Sequence, residues 1–172
     1  GFEQELQVAT GPGQAKAYLP DDISPGGIGF TPDGNMVTFT WAKDDEKRAV
    51  WGVPMTGGAY RKLAGVEDAN VSSYRFSPDG SMIYLLGGAA EDKQRKKQAE
   101  AGFNSKVYEE EFKAARMFVA AIGEEVDEEP REIPLTGYVT GFDVAQDGQM
   151  GIIETAPTPL VDDSYTKKRV NI

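Results

Sequence analysis

The stretch Phe30-Thr31-Pro32-Asp33-Gly34-Asn35-Met36-Val37-Thr38-Phe39 indicates two short strands joined by a tight turn. Proline presets φ near about −65° at the second turn position, aspartate is favoured at the third, and glycine tolerates the left-handed conformation at the fourth. An alternating strand follows the turn. The stretch therefore predicts a β-hairpin, with structural turn residues at Pro32, Asp33 and Gly34.

The same pattern returns twice along the chain. A second copy reads Phe76-Ser77-Pro78-Asp79-Gly80-Ser81-Met82-Ile83-Tyr84-Leu85, and a degenerate third copy reads Phe142-Asp143-Val144-Ala145-Gln146-Asp147-Gly148-Gln149-Met150-Gly151-Ile152. In each copy an aromatic residue ends a strand and an Asp-Gly pair closes the turn. Further structural turns are therefore predicted at Pro78, Asp79, Gly80, Asp147 and Gly148.

The spacing of the copies favours a particular architecture. Asp79 follows Asp33 by 46 residues, and Asp147 follows Asp79 by 68. A recurrence of ~40–50 residues with strands between the copies is typical of β-propeller blades. The alternative, two unrelated Asp-Gly hairpins in a sandwich, does not explain why the aromatic residue, the turn and the methionine recur in register. The longer second spacing indicates an insertion.

The predicted fold is all-β: about two and a half four-stranded blades of a propeller, with a helical insertion in the second blade. Residues 1–14 are interpreted as a lead-in and residues 15–172 as the partial propeller. The blades are assigned to residues 20–64, 65–136 and 137–172, the last one incomplete.

The insertion is assigned to residues 87–115, because Gly87-Gly88 is expected to end a strand. Ala89–Ala101 consists almost entirely of charged or small residues, which favours a solvated helix. Ser105–Arg116 is a second helical candidate, since Tyr108 and Phe112 lie four residues apart and would share one helix face.

Composition and charge restrict the partners and the localisation. The 172 residues carry a net charge of −10, which argues against nucleic acids and anionic membranes as partners. No apolar run approaches the ~18 residues of a membrane span. The absence of cysteine fits a periplasmic, a secreted or a cytoplasmic protein equally well. No signal peptide is recognisable at the start, and a natural leader would be missing if Gly1 is a tag remnant.

The repeat resembles a known family. Phe76-Ser77-Pro78-Asp79-Gly80 and the strand after it are similar to the WD-like repeat of TolB proteins and of the prolyl oligopeptidase family. Three further stretches resemble the N-terminal propeller of bacterial prolyl oligopeptidase-type (dipeptidyl or acylaminoacyl peptidase-like) serine peptidases. They are Val107–Phe112, Arg116–Val119 and Ala156–Tyr165.

The resemblance implies a non-catalytic propeller that restricts the access of peptide substrates to a C-terminal α/β-hydrolase domain of the same chain. The alternative is a TolB-like scaffold that binds proteins. Catalytic residues are not expected here, since a Ser-His-Asp triad needs an imidazole and the sequence has no histidine. A Gly-x-Ser-x-Gly nucleophile elbow is also absent. The acidic run 124–129 lacks the Asp/Asn and Gly pattern of a calcium loop, so no metal and no cofactor are expected.

One rim of the propeller is the predicted recognition surface. Successive turns of an up-and-down blade alternate between the two ends of its strands. The insertion and the loop Ala156–Thr166 each join the second and third strands of a blade, so both should emerge opposite the Pro-Asp-Gly turns. Adjacent Asp162 and Asp163 point to opposite sides if the loop is extended, which favours a structural role. The rim contacts predicted are Tyr108, Phe112, Asp162, Asp163 and Tyr165.

The open edges of the terminal blades predict association between copies of the chain. Lys168–Ile172 begins a strand whose ladder partners are not in the sequence. An unpaired strand edge is a ready template for pairing with another chain. The sequence therefore predicts a homo-oligomer held by open blade edges.

Overall fold

The computed structural model describes residues 6–9, 11–20, 23–89, 115–123, 129–158 and 160–172. Their regular secondary structure is β-strand except for one six-residue helix. Every strand pair is antiparallel, and the strands follow one another within each sheet in chain order. This meander arrangement is the one predicted for the repeating units.

The described residues form a small N-terminal hairpin and three larger sheets, which are called the first, second and third sheet in chain order. A two-stranded hairpin comes first, formed by β1 (Gln7–Ala9) and β2 (Ala15–Ala17). The first four-stranded sheet contains β3 (Gly26–Phe30), β4 (Met36–Trp41), β5 (Ala49–Pro54) and β6 (Arg61–Ala64). The second contains β7 (Ala69–Phe76), β8 (Met82–Ala89), β9 (Ala115–Ala121) and β10 (Arg131–Ile133).

The last sheet has three strands among the described residues. They are β11 (Tyr138–Val144), β12 (Gly151–Ala156) and β13 (Arg169–Asn171), and the helix α1 (Val161–Thr166) precedes β13. The prediction that the strand at Lys168–Ile172 has no ladder partner in the sequence was wrong, because β13 pairs with β12. The three larger sheets lie within 20–64, 65–136 and 137–172, while β1 lies within the segment assigned as a lead-in. The division of the chain at these positions stays a prediction.

Strand β4 shows why these residues form a stacked sheet. Its β-branched and aromatic residues have high strand propensity, and Val37, Thr38, Phe39 and Thr40 are all buried. Successive side chains of a strand point to opposite faces. Both faces of the first sheet are therefore covered, one by the N-terminal hairpin region and the other by the second sheet.

The core between the hairpin region and the first sheet is built around three aromatic rings. Trp41, Trp51 and Tyr60 meet edge to face, with ring centroids 5.4 to 5.7 Å apart. They pack against residues from the N-terminal region that include Leu6 and Leu19. Both tryptophans therefore lie in the core between the N-terminal region and the first sheet.

A second core joins the first and second sheets. Its buried side chains come from β5 and β6 on one side and from β7, β8 and β9 on the other: Val50, Leu63, Ala64, Val71, Tyr74, Ile83, Leu85, Phe118 and Ala120. Burial of such side chains contributes about 1.5–3 kcal/mol each before entropic costs are counted. Sheet-on-sheet stacking therefore holds the chain together.

Tyr74 makes the polar connection inside that core. Its hydroxyl donates to the carbonyl of Gly27 at 2.7 Å and lies 2.8 Å from the hydroxyl of Thr38. Because the single tyrosine proton goes to Gly27, the Thr38 hydroxyl donates to the tyrosine oxygen. Burial raises the pKa of Tyr74. A Cβ on Gly29 would lie 3.4 Å from the Tyr74 hydroxyl, so the small residue leaves it room.

Two predictions about the connections were wrong. Gly87-Gly88 does not end a strand, because β8 continues to Ala89 and its two glycines pair with Arg116 and Ala115 of β9. Both ends of the assigned insertion are therefore strand. The helices predicted between them, with Tyr108 and Phe112, lie at residues 90–114, outside the described part of the chain. A helical insertion thus has no support from the described residues.

The second correction concerns the segment after β12. The sequence predicts a loop over Ala156–Thr166, but residues Val161–Thr166 form α1. The helix begins a few residues after Pro157. Asp162 and Asp163 occupy its first turn, where their negative charges interact favourably with the positive end of the helix dipole.

Within the described residues no helix is long and apolar enough to span a membrane.

The turn glycines provide the first testable prediction. Gly80 has φ of 74°, whereas Gly88 does not have a positive φ and its surroundings leave room for a Cβ. Gly80→Ala should lower the free energy of unfolding by about 1 kcal/mol, because a Cβ is penalised in the left-handed conformation. Gly88→Ala is the matched control and should be neutral or slightly stabilising. Urea unfolding of both variants checks this, and equal midpoints would contradict the turn assignment.

Tyr74→Phe provides the second prediction. The change removes both hydroxyl contacts and leaves Thr38, which is fully buried, without its acceptor. We expect a loss of about 1–2 kcal/mol in the free energy of unfolding. Tyr84→Phe, on neighbouring β8, is the control, since the Tyr84 hydroxyl forms no hydrogen bond with the described residues. If the two variants melt at the same temperature, the connection through Tyr74 does not stabilise the stack.

Candidate functional site

The three repeated turns share one backbone geometry. The amide of Gly34 donates to the carbonyl of Thr31 at 2.9 Å, and Gly80 and Gly148 repeat this bond to Ser77 and Ala145 at the same distance. The φ angles of these glycines are 70°, 74° and 70°. This is the left-handed conformation that the motif requires of its fourth residue.

The aspartates of the turns bind their own loops. Asp33 Oδ1 accepts the amide of Asn35 at 3.0 Å, and Asp79 and Asp147 accept the amides two residues further on at 3.1 and 3.0 Å. In the first two turns a hydroxyl joins this network. Thr31 Oγ1 donates to Asp33 at 2.6 Å and accepts the amide of Met36 at 3.0 Å.

Ser77 repeats both bonds in the second turn, to Asp79 at 2.5 Å and to the amide of Met82 at 2.9 Å. The third turn has Ala145 at this position and cannot form them. Hydrogen bonds from Thr31 and then from Asn35 lower the pKa of Asp33, and those from Ser77 and then Ser81 lower the pKa of Asp79. Both carboxylates are thus engaged in shaping their own turns.

Neighbouring turns also touch one another. A Cβ on Gly80 would lie 3.8 Å from Cδ of Pro32, and one on Gly148 would lie 3.3 Å from Cδ of Pro78. The proline of one turn therefore sits beside the glycine of the next. This repeated contact places the three turns side by side at one end of the stacked sheets.

The predicted rim lies at the opposite strand ends. The connection between β8 and β9 and that between β12 and β13 leave their strands away from the Asp-Gly turns. On the described part of the rim, Asp162 is exposed and Tyr165 keeps 83% of its accessible surface. A recognition role for either one stays a prediction.

Asp163 differs from its neighbour. It is buried, accepts the Thr158 hydroxyl at 2.7 Å and pairs with Lys167 Nζ at 2.8 Å. Lys167 first and Thr158 second lower the pKa of this carboxyl, and Asp163 in turn raises the pKa of Lys167. These contacts fix the loop before α1 to the end of the helix, and they involve Asp163 alone. The structural role of the pair and the rim contact at Asp163 stay predictions.

A groove between the first and second sheets is the candidate site that sequence reasoning missed. It has a volume of about 380 Å³ and is bounded by the edge strands β3 and β7. Ile28 and Phe30 line it with 58% and 57% of their surfaces exposed. The repeat pattern marked Phe30 only as the end of a strand, like Phe76, which instead packs partly into the second core.

One cation lines this groove. Arg75 Nη1 donates to the carbonyl of Tyr74 at 2.9 Å, and its Nε lies 3.4 Å from Oδ1 of Asp143 on the third sheet. More than half of the Arg75 side chain is exposed. The groove thus combines apolar side chains, a strand edge and one accessible guanidinium.

No candidate metal site is found among the described residues. The described residues contain no group of three or more His, Cys, Asp or Glu side chains that could hold a metal ion. Residues 124–128, most of the acidic run considered in the sequence, lie outside the described ranges.

No protein-family model and no curated protein matches this chain. Several solved structures, in contrast, are similar to the chain in fold. A structure from a study of two prolyl endopeptidases aligns over 88% of the chain with a TM-score of 0.59 and 16% sequence identity. The chain has a propeller-type fold. It spans 22% of the length of that neighbour.

Two weaker structural matches were also found. The β-propeller domain of the Trilobed protease from Pyrococcus furiosus aligns over 78% of this chain and 35% of its own, with 15% identity and a TM-score of 0.47. The acylaminoacyl peptidase of Pyrococcus horikoshii aligns over 84% and 22%, with 13% identity and a TM-score of 0.48.

The hydroxyl–carboxylate pair of the first turn can be tested directly. Thr31→Val removes the largest cause of the lowered pKa of Asp33, so this pKa should rise toward its ordinary value. The pKa of Asp79, in the intact second turn, should not move and is the internal control. Side-chain carboxyl NMR titration measures both.

The sign of the effect on stability follows from the direction of the shift. A lowered folded-state pKa means that the ionised Asp33 stabilises the turn above its unfolded pKa, and this contribution is lost as the pH falls through the folded pKa. Acidification should therefore destabilise the Thr31→Val variant less than the parent. An unchanged Asp33 titration in the variant would contradict the assigned hydrogen bond.

Proposed function

We propose that this chain is a non-catalytic part of the propeller of a prolyl oligopeptidase-type serine peptidase. The observation that carries the proposal is the structural likeness over 88% of the chain to a prolyl endopeptidase structure, at a TM-score of 0.59. The three stretches that resemble peptidase propellers of bacteria support it from the sequence. The serine nucleophile and its histidine would then lie in a hydrolase domain outside these 172 residues.

The described side chains support a structural role for the chain rather than a catalytic one. The carboxyls of Asp33 and Asp79 have a lowered pKa because each accepts hydrogen bonds from its own turn, and Lys167 first and Thr158 second lower the pKa of Asp163. A general acid needs the opposite shift at neutral pH. The whole sequence also lacks histidine, the usual proton carrier of serine peptidases.

In such a parent protein the propeller would limit which peptides reach the hydrolase domain. The proposed contact surface is the rim that carries Asp162 and Tyr165, since exposed connections on a rigid β-scaffold are where recognition usually lies. The free edge of β13 is the proposed contact between copies, because β13 pairs only with β12 among the described strands.

The test compares the chain with the protein that its complete open reading frame encodes. Both are assayed with fluorogenic proline-containing and N-acylated peptides. We expect hydrolysis by the complete protein and none by the purified 172-residue chain, and addition of the chain to a separately expressed hydrolase domain should alter the size of the peptides that are cleaved.

Two outcomes would contradict the proposal. Activity of the chain alone that survives repurification would refute its non-catalytic role. A reading frame without a hydrolase domain would refute the peptidase parent and favour the TolB-like scaffold. A chain carrying Gly80→Ala serves as a control for effects of lowered stability on the mixing experiment.

A further inference from the structure

The groove between β3 and β7 has the form of a site for an extended peptide. Each of the two strands is the edge of its sheet, because among the described strands β3 pairs only with β4 and β7 only with β8. Residues of both strands line the groove. The outer backbone groups of an edge strand have no strand partner, although side chains already bond the carbonyls of Gly27 and Tyr74.

The backbone of β3 identifies one such pair of groups. The amide of Thr31 donates to the carbonyl of Met36 on the far side of the hairpin at 3.1 Å. In an antiparallel pair, residues alternate between those that bond their partner and those whose N–H and C=O point away from it. Phe30 therefore directs its N–H and C=O away from β4, toward the open edge.

The side chains of β3 leave this edge unprotected. Proteins usually shield exposed edges with charged residues, proline or a covering segment. Strand β3 reads Gly-Gly-Ile-Gly-Phe and carries no charge. Ile28 and Phe30 instead expose more than half of their surfaces beside the groove. Two exposed apolar side chains next to free backbone groups suit a strand-forming ligand.

Charge sets a further condition on the ligand. Arg75 is the one charged residue among those that line the groove, although the chain as a whole carries −10. Its Nε lies 3.4 Å from Oδ1 of Asp143, and 53% of the side chain is exposed, so a ligand carboxylate would share this guanidinium with Asp143. A single arginine does not form the basic stripe that a nucleic acid requires. A ligand with one carboxylate is complementary to it.

We propose that the groove binds an extended peptide that pairs with the edge of β3 at Phe30. An apolar side chain of the peptide contacts Ile28 and Phe30, and a nearby carboxylate of the peptide contacts Arg75. Main-chain hydrogen bonds supply affinity and side-chain contacts supply selectivity in this mode of recognition. The proposal deepens the proposed function, since it places a peptide contact on the propeller itself.

The probe is a fluorescein-labelled peptide, Gly-Ala-Leu-Ala-Glu-Gly, with the 172-residue chain as the receptor. Fluorescence anisotropy should show saturable binding. Three altered peptides test the three contacts: leucine replaced by serine, glutamate replaced by glutamine, and a version N-methylated at alternate backbone amides. Each should bind more weakly, the N-methylated one most of all, because its amides can no longer donate to the strand edge.

Matched variants locate the site on the protein. Phe30→Ser should weaken binding about tenfold, as expected for the loss of one buried apolar contact. Its control is Met150→Ser, which changes a side chain of similar exposure, 56%, just before β12. Arg75→Gln should weaken binding about three- to tenfold and should abolish the preference for glutamate over glutamine. Arg169→Gln, on exposed β13, is its control.

The outcomes separate this inference from the peptidase proposal. Loss of affinity confined to Phe30→Ser and Arg75→Gln supports the site, even if the complete protein proves to have no peptidase activity. No saturable binding, or an equal loss in the Met150 and Arg169 variants, overturns it. If Phe30→Ser fails to fold by circular dichroism, Ile28→Ser replaces it, and unchanged affinity in that variant also overturns the site.

Discussion

The hydroxyl of Tyr74 is the contact on which the stacking of the sheets depends. The side chain of Tyr74 extends from the second sheet to the first. There its hydroxyl donates to the carbonyl of Gly27 and accepts from the hydroxyl of Thr38, in a core that is otherwise apolar. A buried polar group without partners costs about 1–3 kcal/mol, so the contact fixes how the sheets register as well as holding them together. Gly29 of β3 lies beside this contact, since a Cβ there would come within 3.4 Å of both hydroxyls.

The repeated motif acts through local hydrogen bonds rather than through chemistry. Each Asp-Gly turn uses its carboxylate to hold the next amide, and the first two add a hydroxyl between the carboxylate and the returning strand. The contacts of Pro32 with Gly80 and of Pro78 with Gly148 then bring successive turns together. The Asp-Gly turns are acidic and repeated, as a functional motif can be, but their carboxylates are part of the scaffold.

The groove beside β3 has the opposite character. Its backbone edge, its exposed Ile28 and Phe30 and its arginine are not needed by the cores on either side. A surface that exposes large apolar side chains beside an unpaired edge carries a risk of aggregation unless something binds it. The stacking explains why this edge is open. Adjacent sheets contact each other through their faces, so the outer edges of their first strands, β3 and β7, are left without a strand partner among the described residues.

Local residue order determined much of this protein. The turns, most strands and the repeat of the hairpin follow from proline, aspartate, glycine and alternation, all of which act within a few residues. The continuation of β8 through Gly87-Gly88 did not follow, because β9 supplies pairing partners from across a long connection. Nor did helix α1, whose segment contains prolines typical of a loop. Only the tertiary structure distinguishes Phe30 from Phe76. The two occupy the same place in the repeat and both line the groove, but Phe76 packs on Tyr74 and the core, whereas 57% of the surface of Phe30 is exposed. Side-chain exposure is decided by the neighbouring sheet, and that neighbour is distant in sequence.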